Sequence, residues 1–308
     1  MKTFFDMESQ CSLTFGQAGP YWHLWTPENH QIIFHDKASF MAGMNILAMC
    51  SRLDPEVRII TFQLMSNHIH LTLSCTREGA LRLFSLFKQY LGNYLKGRGL
   101  SIDLSMFEAS LRELRTLQEL RNVTTYNNRN GYVVNPDSTP FTYPWGANSF
   151  FYNRIAKSRF SESRSYLYKA ERRAIIHSHD SDSIKEPIIT VDGYACPMSF
   201  CSIAFGEALF RNASHYFREI SRNIESQKEI AKNIGEQIFY TDDELFSVIL
   251  SICKDKYDGQ KPSLLPAAAK SELALLLHNE YNAGNKQIQR MLRLDASVVN
   301  SLFPQKTN

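Results

Sequence analysis

The stretch Met65-Ser66-Asn67-His68-Ile69-His70-Leu71 carries two histidines on either side of one aliphatic residue. Successive side chains of an extended strand alternate between its two faces. His68 and His70 therefore share one face, and Ile69 and Leu71 share the other. The pattern predicts a strand with an apolar side that packs on a core and an opposite side that carries imidazoles.

Apolar residues also alternate upstream of this stretch, but with the opposite parity: they are Ile60, Phe62 and Leu64. A change of parity predicts a turn or bulge at Ser66-Asn67, which joins two strands of a hairpin over residues 57–74. The two histidines then stand at the start of the second strand.

Two neutral imidazoles that project side by side from a rigid strand suit a divalent cation, although two ligands leave most of its coordination sphere open. A third ligand has to come from elsewhere in the chain. The alternative interpretation is a pair of polar residues on a half-exposed strand. The second such pair, His177-Ser178-His179, runs into acidic and polar residues without an apolar side, and we assign it no metal.

The composition is that of an ordinary globular protein. The length of 308 residues is enough for two or three domains, and the 44% of hydrophobic residues is enough for their cores. No run approaches the ~18 apolar residues of a membrane span, and the N-terminus lacks the apolar core of a signal peptide, so we expect a cytoplasmic protein. The six cysteines form no Cys-x-x-Cys pair, which argues against a zinc ribbon. A net charge of +3 permits nucleic-acid binding without demanding it.

Periodicity predicts the remaining elements of the first half of the chain. Residues 20–36 are predicted as a strand or hairpin, and residues 37–52, 79–96 and 106–129 as helices. This order of strands and helices indicates an α+β fold with one antiparallel sheet and helices packed on it.

The predicted third helix ends with Tyr126 and Asn130, which lie four residues apart and hence on one face, followed by Gly131. By themselves they are a packed tyrosine beside a capping asparagine. Tyr90 and Tyr94 are rival nucleophiles, but they belong to the apolar stripe of the preceding helix and no asparagine follows either of them by four residues.

Four motifs together resemble the HUH transposases with one catalytic tyrosine, most closely the REP-associated tyrosine transposases. They are the histidine pair, Tyr126-x-x-x-Asn130, Val133-Val134-Asn135-Pro136 and Tyr143-Pro144-Trp145-Gly146. The resemblance covers roughly residues 20–155. Where the family pattern has an aliphatic residue and a proline around the asparagine, this chain has Asn127 and Gly131.

The resemblance implies a ferredoxin-like antiparallel sheet in which His68, His70 and Asn130 bind Mg²⁺ or Mn²⁺ and Tyr126 is the nucleophile. A phenolate can attack a phosphodiester of single-stranded DNA and form a 5′-phosphotyrosine, which a second DNA end then attacks and rejoins. Two alternatives stay open. One is an inactive descendant that still binds single-stranded or hairpin DNA, and the other is a metal-dependent nuclease that uses water.

A basic segment follows, with seven arginines and lysines between Arg154 and Arg173 and three aromatic rings interleaved. We predict a helix that lies along a phosphate backbone, and the alternative is a solvated linker helix. The predicted DNA-binding residues of the first two thirds of the chain are Arg82, Lys88, Arg159, Arg164 and Lys169.

The C-terminal helices predicted at 271–283, 286–294 and 296–303 form a helix-turn-helix pattern whose recognition helix begins near Asp295. Lys286, Arg290 and Arg293 are its predicted DNA contacts, and a helical oligomerisation bundle is the alternative. The predicted domains are 1–155 (catalytic), 156–187 (basic linker helix), 188–238 (helical middle region) and 239–308 (DNA-binding). The predicted partner is single-stranded or hairpin DNA, with no membrane, and a homodimer is left open.

Overall fold

The computed structural model describes residues 3–6, 11–27, 32–133, 143–222, 231, 240 and 242–304. The chain divides into two compact units, Met1–Tyr132 with Ser138–Glu236 and Val133–Asp137 with Gln237–Asn308. The strands are β1 Thr3–Asp6, β2 Cys11–Thr14, β3 Tyr21–Trp25, β4 Arg58–Leu64, β5 Ile69–Ser74, β6 Ser110–Leu114, β7 Thr190–Val191 and β8 Tyr194–Ala195. The helices up to residue 222 are α1 Lys37–Leu53, α2 Arg77–Gly97, α3 Leu117–Val133, α4 Arg154–Glu162, α5 Lys169–Ile176, α6 Ile203–Ala208 and α7 Ala213–Arg222.

A four-stranded antiparallel sheet in the order β4-β5-β3-β6 forms the centre of the first unit. The predicted α+β class is thereby confirmed. The hairpin of β4 and β5 is confirmed as well, since Leu64 pairs with Ile69 and the Met65 amide donates to the His68 carbonyl across the Ser66-Asn67 turn.

The two faces of this sheet differ in polarity because the strands alternate. One face carries apolar side chains, among them Leu71, Leu73 and Phe62, and it packs under α1. Gly43 of α1 comes so close to this face that a Cβ there would lie 3.0 Å from Leu64 Cδ1. The opposite face carries the polar side chains of β3, β4 and β5, and α3 covers it.

The helical spacing of apolar residues predicted the first two helices nearly in full, and each of them begins with a capping side chain. Asp36 accepts from the Ser39 amide at the start of α1, and Thr76 accepts from the Gly79 amide at the start of α2. The hydrogen bond from Ser39 holds the pKa of Asp36 below its ordinary value.

The predicted helix over 106–129 was wrong at its start. Ser110–Leu114 is the edge strand β6, and the helix begins only at Leu117. Thr116 and Glu119 form a capping box there, in which each side chain accepts from the backbone amide of the other residue. Leucines at three-residue intervals resemble a helical stripe, which is why the strand was missed. The helix also continues past Gly131 to Val133.

The strand predicted near Ile33 and Phe34 was also wrong. Both residues are buried in a loop, and both of their amides donate to the Ser66 carbonyl in the hairpin turn. The loop therefore closes over the turn that precedes the histidines.

The basic segment forms two short helices, α4 and α5, and not the single helix that was predicted. The chain leaves the helix at Ser163, whose hydroxyl donates to the Thr190 carbonyl. Asp192 and Gly193 form the turn of the β7–β8 hairpin, and both have positive φ. Residues 143–222 also reach the sheet, since Gly146 bridges to Gln63.

The second unit is helical in its described residues, with α8 Asp242–Lys256, α9 Ala267–Tyr281, α10 Asn285–Leu292 and α11 Ala296–Leu302. The last three agree with the predicted helices, and Ile288, Leu292 and Val299 are buried between them. Asp295 precedes α11 as expected. A DNA-binding role for these helices remains a prediction.

No helix within the described ranges combines the length and the apolar character needed to cross a membrane. Five cysteines of the described part, at positions 50, 75, 196, 201 and 253, are free buried thiols. The side chain of Cys11 lies outside the described residues.

Candidate active site

Polar side chains fill the sheet face under α3. His70 and Thr72 lie on β5, His23 lies on β3 opposite Thr72, and Gln63 and Thr61 lie on β4 opposite His70 and Thr72. Each of these five side chains is at most 1% exposed. Burying polar groups costs free energy unless they are hydrogen-bonded, so a sheet face of this kind is unusual for packing alone. It marks the region as a candidate for chemistry.

Tyr126 of α3 lies directly over this face. Its ring centroid is 5.7 Å from that of His70 and 6.4 Å from that of His23, and both contacts are edge to face. The sequence predicted that a distant helix would bring its tyrosine to the paired histidines, and the structure brings Tyr126 and His70 together.

Two consecutive asparagines attach α3 to the polar face. Asn127 Nδ2 donates to Thr72 Oγ1 at 2.9 Å, and the Thr61 hydroxyl donates to Asn128 Oδ1. Asn128 Nδ2 also donates to the Tyr216 hydroxyl of α7 at 2.7 Å. Asn127 stands where the family pattern has an aliphatic residue. Its amide can hydrogen-bond to the polar sheet face, which an aliphatic side chain cannot do.

The two predicted metal-binding histidines are neighbours, with ring centroids 5.1 Å apart. His68 Nδ1 contacts Asn67 Oδ1 at 2.7 Å, and His70 Nδ1 contacts His23 Nε2 at 3.3 Å. A partner at Nδ1 fixes the tautomer and the orientation of a histidine that binds a metal through Nε2. The contacts of both rings therefore fit a metal-binding role.

The third predicted ligand is not described, because the side chain of Asn130 lies outside the described residues. Among the described residues, no group of three or more His, Cys, Asp or Glu side chains could hold a metal ion. An ion at the histidine pair would need its other ligands from amides, water or a phosphate. Nitrogen donors favour the transition metal Mn²⁺ over the harder Mg²⁺.

His23 was missed by sequence reasoning. It lies in Tyr21-Trp22-His23-Leu24-Trp25, where it reads as one more buried side chain among aromatic residues. The alternation of side chains along β3 could have identified it, since His23 is the polar residue on the side of the strand opposite to Leu24. It contacts both His70 and Tyr126, so it connects the predicted metal-binding pair to the predicted nucleophile.

The site is closed to solvent. Tyr126 is 2% exposed, His68 5% and His70 0%. Arg129, three residues after Tyr126, is also buried and brings a guanidinium into the same part of α3. The Tyr126 phenol is therefore screened from solvent by the elements that surround it.

The rival tyrosines lie elsewhere. Tyr90 is buried in α2 and donates to Asp180, and the Tyr94 hydroxyl donates to the Ala38 carbonyl. Burial is the largest cause that raises the pKa of Tyr90, which makes its phenolate unfavourable. His177 and His179 of the second histidine pair lie after α5, where His179 faces Asp182.

The residues predicted to bind DNA are scattered, and several already face acidic groups. Arg82 pairs with Asp54, Lys88 with Glu108, Arg159 with Asp192 and Lys169 with Asp182. Arg164 donates to the carbonyls of Ser161 and Ser163. In the second unit, Lys286, Arg290 and Arg293 are exposed. Their roles in DNA binding remain predictions.

The comparisons with known proteins found no match to a family model, to a curated protein or to a solved structure.

Proposed function

We propose that the chain is a metal-dependent transposase of the HUH single-tyrosine type, which cleaves and rejoins single-stranded DNA through a 5′-phosphotyrosine. The observation that carries the proposal is the contact of Tyr126 with His70 across a buried polar sheet face. The element order from β3 to β6, with two helices between the strands, supports the ferredoxin-like arrangement that such an enzyme would have.

The proposed chemistry assigns one task to each group. Tyr126 Oη gives up its proton and bonds to phosphorus, while the bond from phosphorus to the 3′ oxygen breaks and that oxygen takes up a proton. The phosphotyrosine bond keeps the bond energy of the phosphodiester. The 3′-hydroxyl of a second DNA end can therefore attack the phosphotyrosine and form a new phosphodiester without ATP. His68 and His70 would hold the Mn²⁺ or Mg²⁺, which would supply positive charge to the phosphate oxygens.

His23 and Arg129 have supporting roles in the proposal. His23 orients His70 through the contact between Nε2 and Nδ1. Arg129 is a permanently charged group one helical turn after Tyr126, and a buried cation there favours a phosphate near the phenol.

A second candidate function is a protein that binds single-stranded DNA without cutting it. The closed state of the site supports this candidate, because a nucleophile that is 2% exposed cannot react until α3 moves. The two candidates share the binding surface and differ in the covalent step.

The test uses a DNA hairpin with a single-stranded flank and a fluorescent label at its 3′ end, because the 3′ fragment is the one that stays on the tyrosine. Incubation with Mn²⁺ followed by a denaturing gel should give a labelled protein band. The band should be absent in Tyr126→Phe and in His68→Ala with His70→Ala.

The matched control is Tyr94→Phe, which removes a phenol from α2 and should keep the band. Binding of the hairpin without a covalent band in the unmodified protein would favour the non-cleaving candidate. Cleavage that survives Tyr126→Phe but is lost in His68→Ala would show that water is the nucleophile.

A further inference from the structure

Basic side chains gather on the side of α3 that faces α7. Arg121 Nε donates to the Leu209 carbonyl in the loop before α7, which brings Arg121 close to Arg211. The Arg211 amide in turn donates to His215 Nδ1 at 3.1 Å, and Arg218 follows His215 by one helical turn. Arg211 and Arg218 are exposed, whereas Arg121 and His215 are half-buried. We call Arg121, Arg211, His215 and Arg218 the α3–α7 basic cluster.

The members of the cluster repel one another. Burial is the largest cause that lowers the pKa of His215, and the charges of Arg121, Arg211 and Arg218 lower it further. The pKa of Arg121 is lowered by burial and by Arg211. Glu219 opposes both effects and lies 3.4 Å from His215 Nε2. One carboxylate among three guanidinium groups leaves an excess of positive charge that an anion would offset.

The cluster and the proposed nucleophile belong to the same helix but lie on different flanks of it. Arg121 precedes Tyr126 by five residues, which is about 7.5 Å along the axis and about 140° around it. Asn128 lies on nearly the same side of α3 as Arg121, and it contacts α7 through Tyr216 and the sheet through Thr61. The cluster and the polar sheet face therefore meet along one helix.

We propose that the α3–α7 basic cluster binds backbone phosphates of the single-stranded DNA that reacts with Tyr126, on the flank of α3 that faces α7. This inference rests on the proposed function and names the part of the substrate that the cluster holds. Arginine suits the role because its planar fork binds phosphate oxygens in pairs and stays charged. None of these four residues was among the DNA-binding residues predicted from the sequence.

The test measures how the affinity for a labelled single-stranded oligonucleotide depends on salt. Tyr126→Phe serves as the background, so that only non-covalent binding is followed by fluorescence anisotropy. Each phosphate contact on a single strand contributes about −0.7 to the slope of log K against log salt. Arg211→Gln with Arg218→Gln should therefore reduce the slope by about 1.4.

The matched control is Arg77→Gln with Lys96→Gln, which removes the same charge from exposed positions of α2. It should leave the slope unchanged. A second readout is the NMR titration of His215, whose pKa should rise when the oligonucleotide is added, because phosphate opposes the charges of the arginines. The control signal is His179, which is exposed and lies outside the cluster.

Three outcomes would overturn the inference: an unchanged slope in the double variant, an equal loss in the control, or a His215 pKa that the oligonucleotide does not move. The covalent band is scored separately. A covalent band with an unchanged slope refutes the cluster but leaves the proposed function intact. A reduced slope without any covalent band supports the cluster as a DNA site and refutes the transposase chemistry.

Discussion

His23 shows how one buried side chain can govern a site that it does not form by itself. Its Nε2 contacts His70 Nδ1, and its ring meets that of Tyr126 at 6.4 Å. A change at this position should therefore act on the proposed metal-binding pair through the orientation of one imidazole.

We expect His23→Phe to raise the Mn²⁺ concentration that the covalent reaction requires. Loss of a residue that orients a metal ligand costs about 10–100-fold in affinity or activity. Mn²⁺ titration of the covalent-band yield measures this effect. His23→Gln, which can still accept from His70, should recover part of the loss. Equal Mn²⁺ requirements in the Phe variant and the unmodified protein would refute a positioning role for His23.

The contact between Asn127 and Thr72 allows a second prediction at the same scale. Asn127→Leu leaves the buried Thr72 hydroxyl without this partner and should lower the free energy of unfolding by about 1–3 kcal/mol. Adding Thr72→Val should make the total cost smaller than the sum of the two single variants, because both polar partners are then gone. Urea unfolding of the four proteins measures the coupling, and strict additivity would contradict it.

At the scale of elements, the cap of α1 gives a pH prediction. Hydrogen bonds from Ser39 lower the pKa of Asp36, so its contribution to stability is present above pH ~4 and is lost as pH falls through the lowered value. Asp36→Asn should come close to the unmodified protein near pH 7, because asparagine caps equally well and the lost ion pair with Arg98 is exposed. It should lose less stability between pH 4 and pH 2 than the unmodified protein, as measured by urea midpoints. Identical acid dependence in the two proteins would disprove the assignment.

Helix α3 is the element whose movement the proposed function requires. Its backbone amides should exchange with solvent through an opening that costs less free energy than the opening of β5, because β5 is hydrogen-bonded to a strand on each side, whereas α3 joins the sheet through side-chain contacts. Hydrogen exchange with mass spectrometry compares the two. Equal protection of α3 and β5 would mean that the helix does not open separately, which favours the non-cleaving candidate.

Local patterns predicted the elements whose signal lies within a few residues. Alternation predicted the β4–β5 hairpin, and the helical spacing of apolar residues predicted α1 and α2. The strand β6 was missed because Leu111, Leu114 and Leu117 repeat every three residues, although the Thr116-x-x-Glu119 cap was visible in the sequence. The position of Tyr126 over the histidines is a tertiary contact, and only the family resemblance anticipated it. The alternation along β3 could have identified His23, but its aromatic neighbours resemble core packing.

At the scale of the whole molecule, the buried thiols report on how the two units unfold. Burial raises the pKa of Cys75 and of Cys196 to about 12, so both are protonated and unreactive at pH 8. We expect Cys50, Cys75, Cys196 and Cys201 to become reactive together in increasing urea, since all four belong to one compact unit. Cys253 belongs to the other unit and reports on it independently.

Alkylation with iodoacetamide, followed by mass spectrometry of each cysteine peptide, measures the order. The sequence predicted a boundary near residue 187, which would separate Cys196 and Cys201 from the other two. Earlier reactivity of Cys196 than of Cys75 would support that boundary against a single cooperative unit.

The contrast between the two faces of the central sheet affects how the protein behaves when it opens. When α3 moves away, water can solvate the imidazoles, hydroxyls and amides of the polar face, while the apolar face stays covered by α1. Tyr21 and Trp25 alternate onto the same face of β3 as His23, so the uncovered surface is of mixed polarity. Such a surface favours aggregation less than a wholly apolar face would.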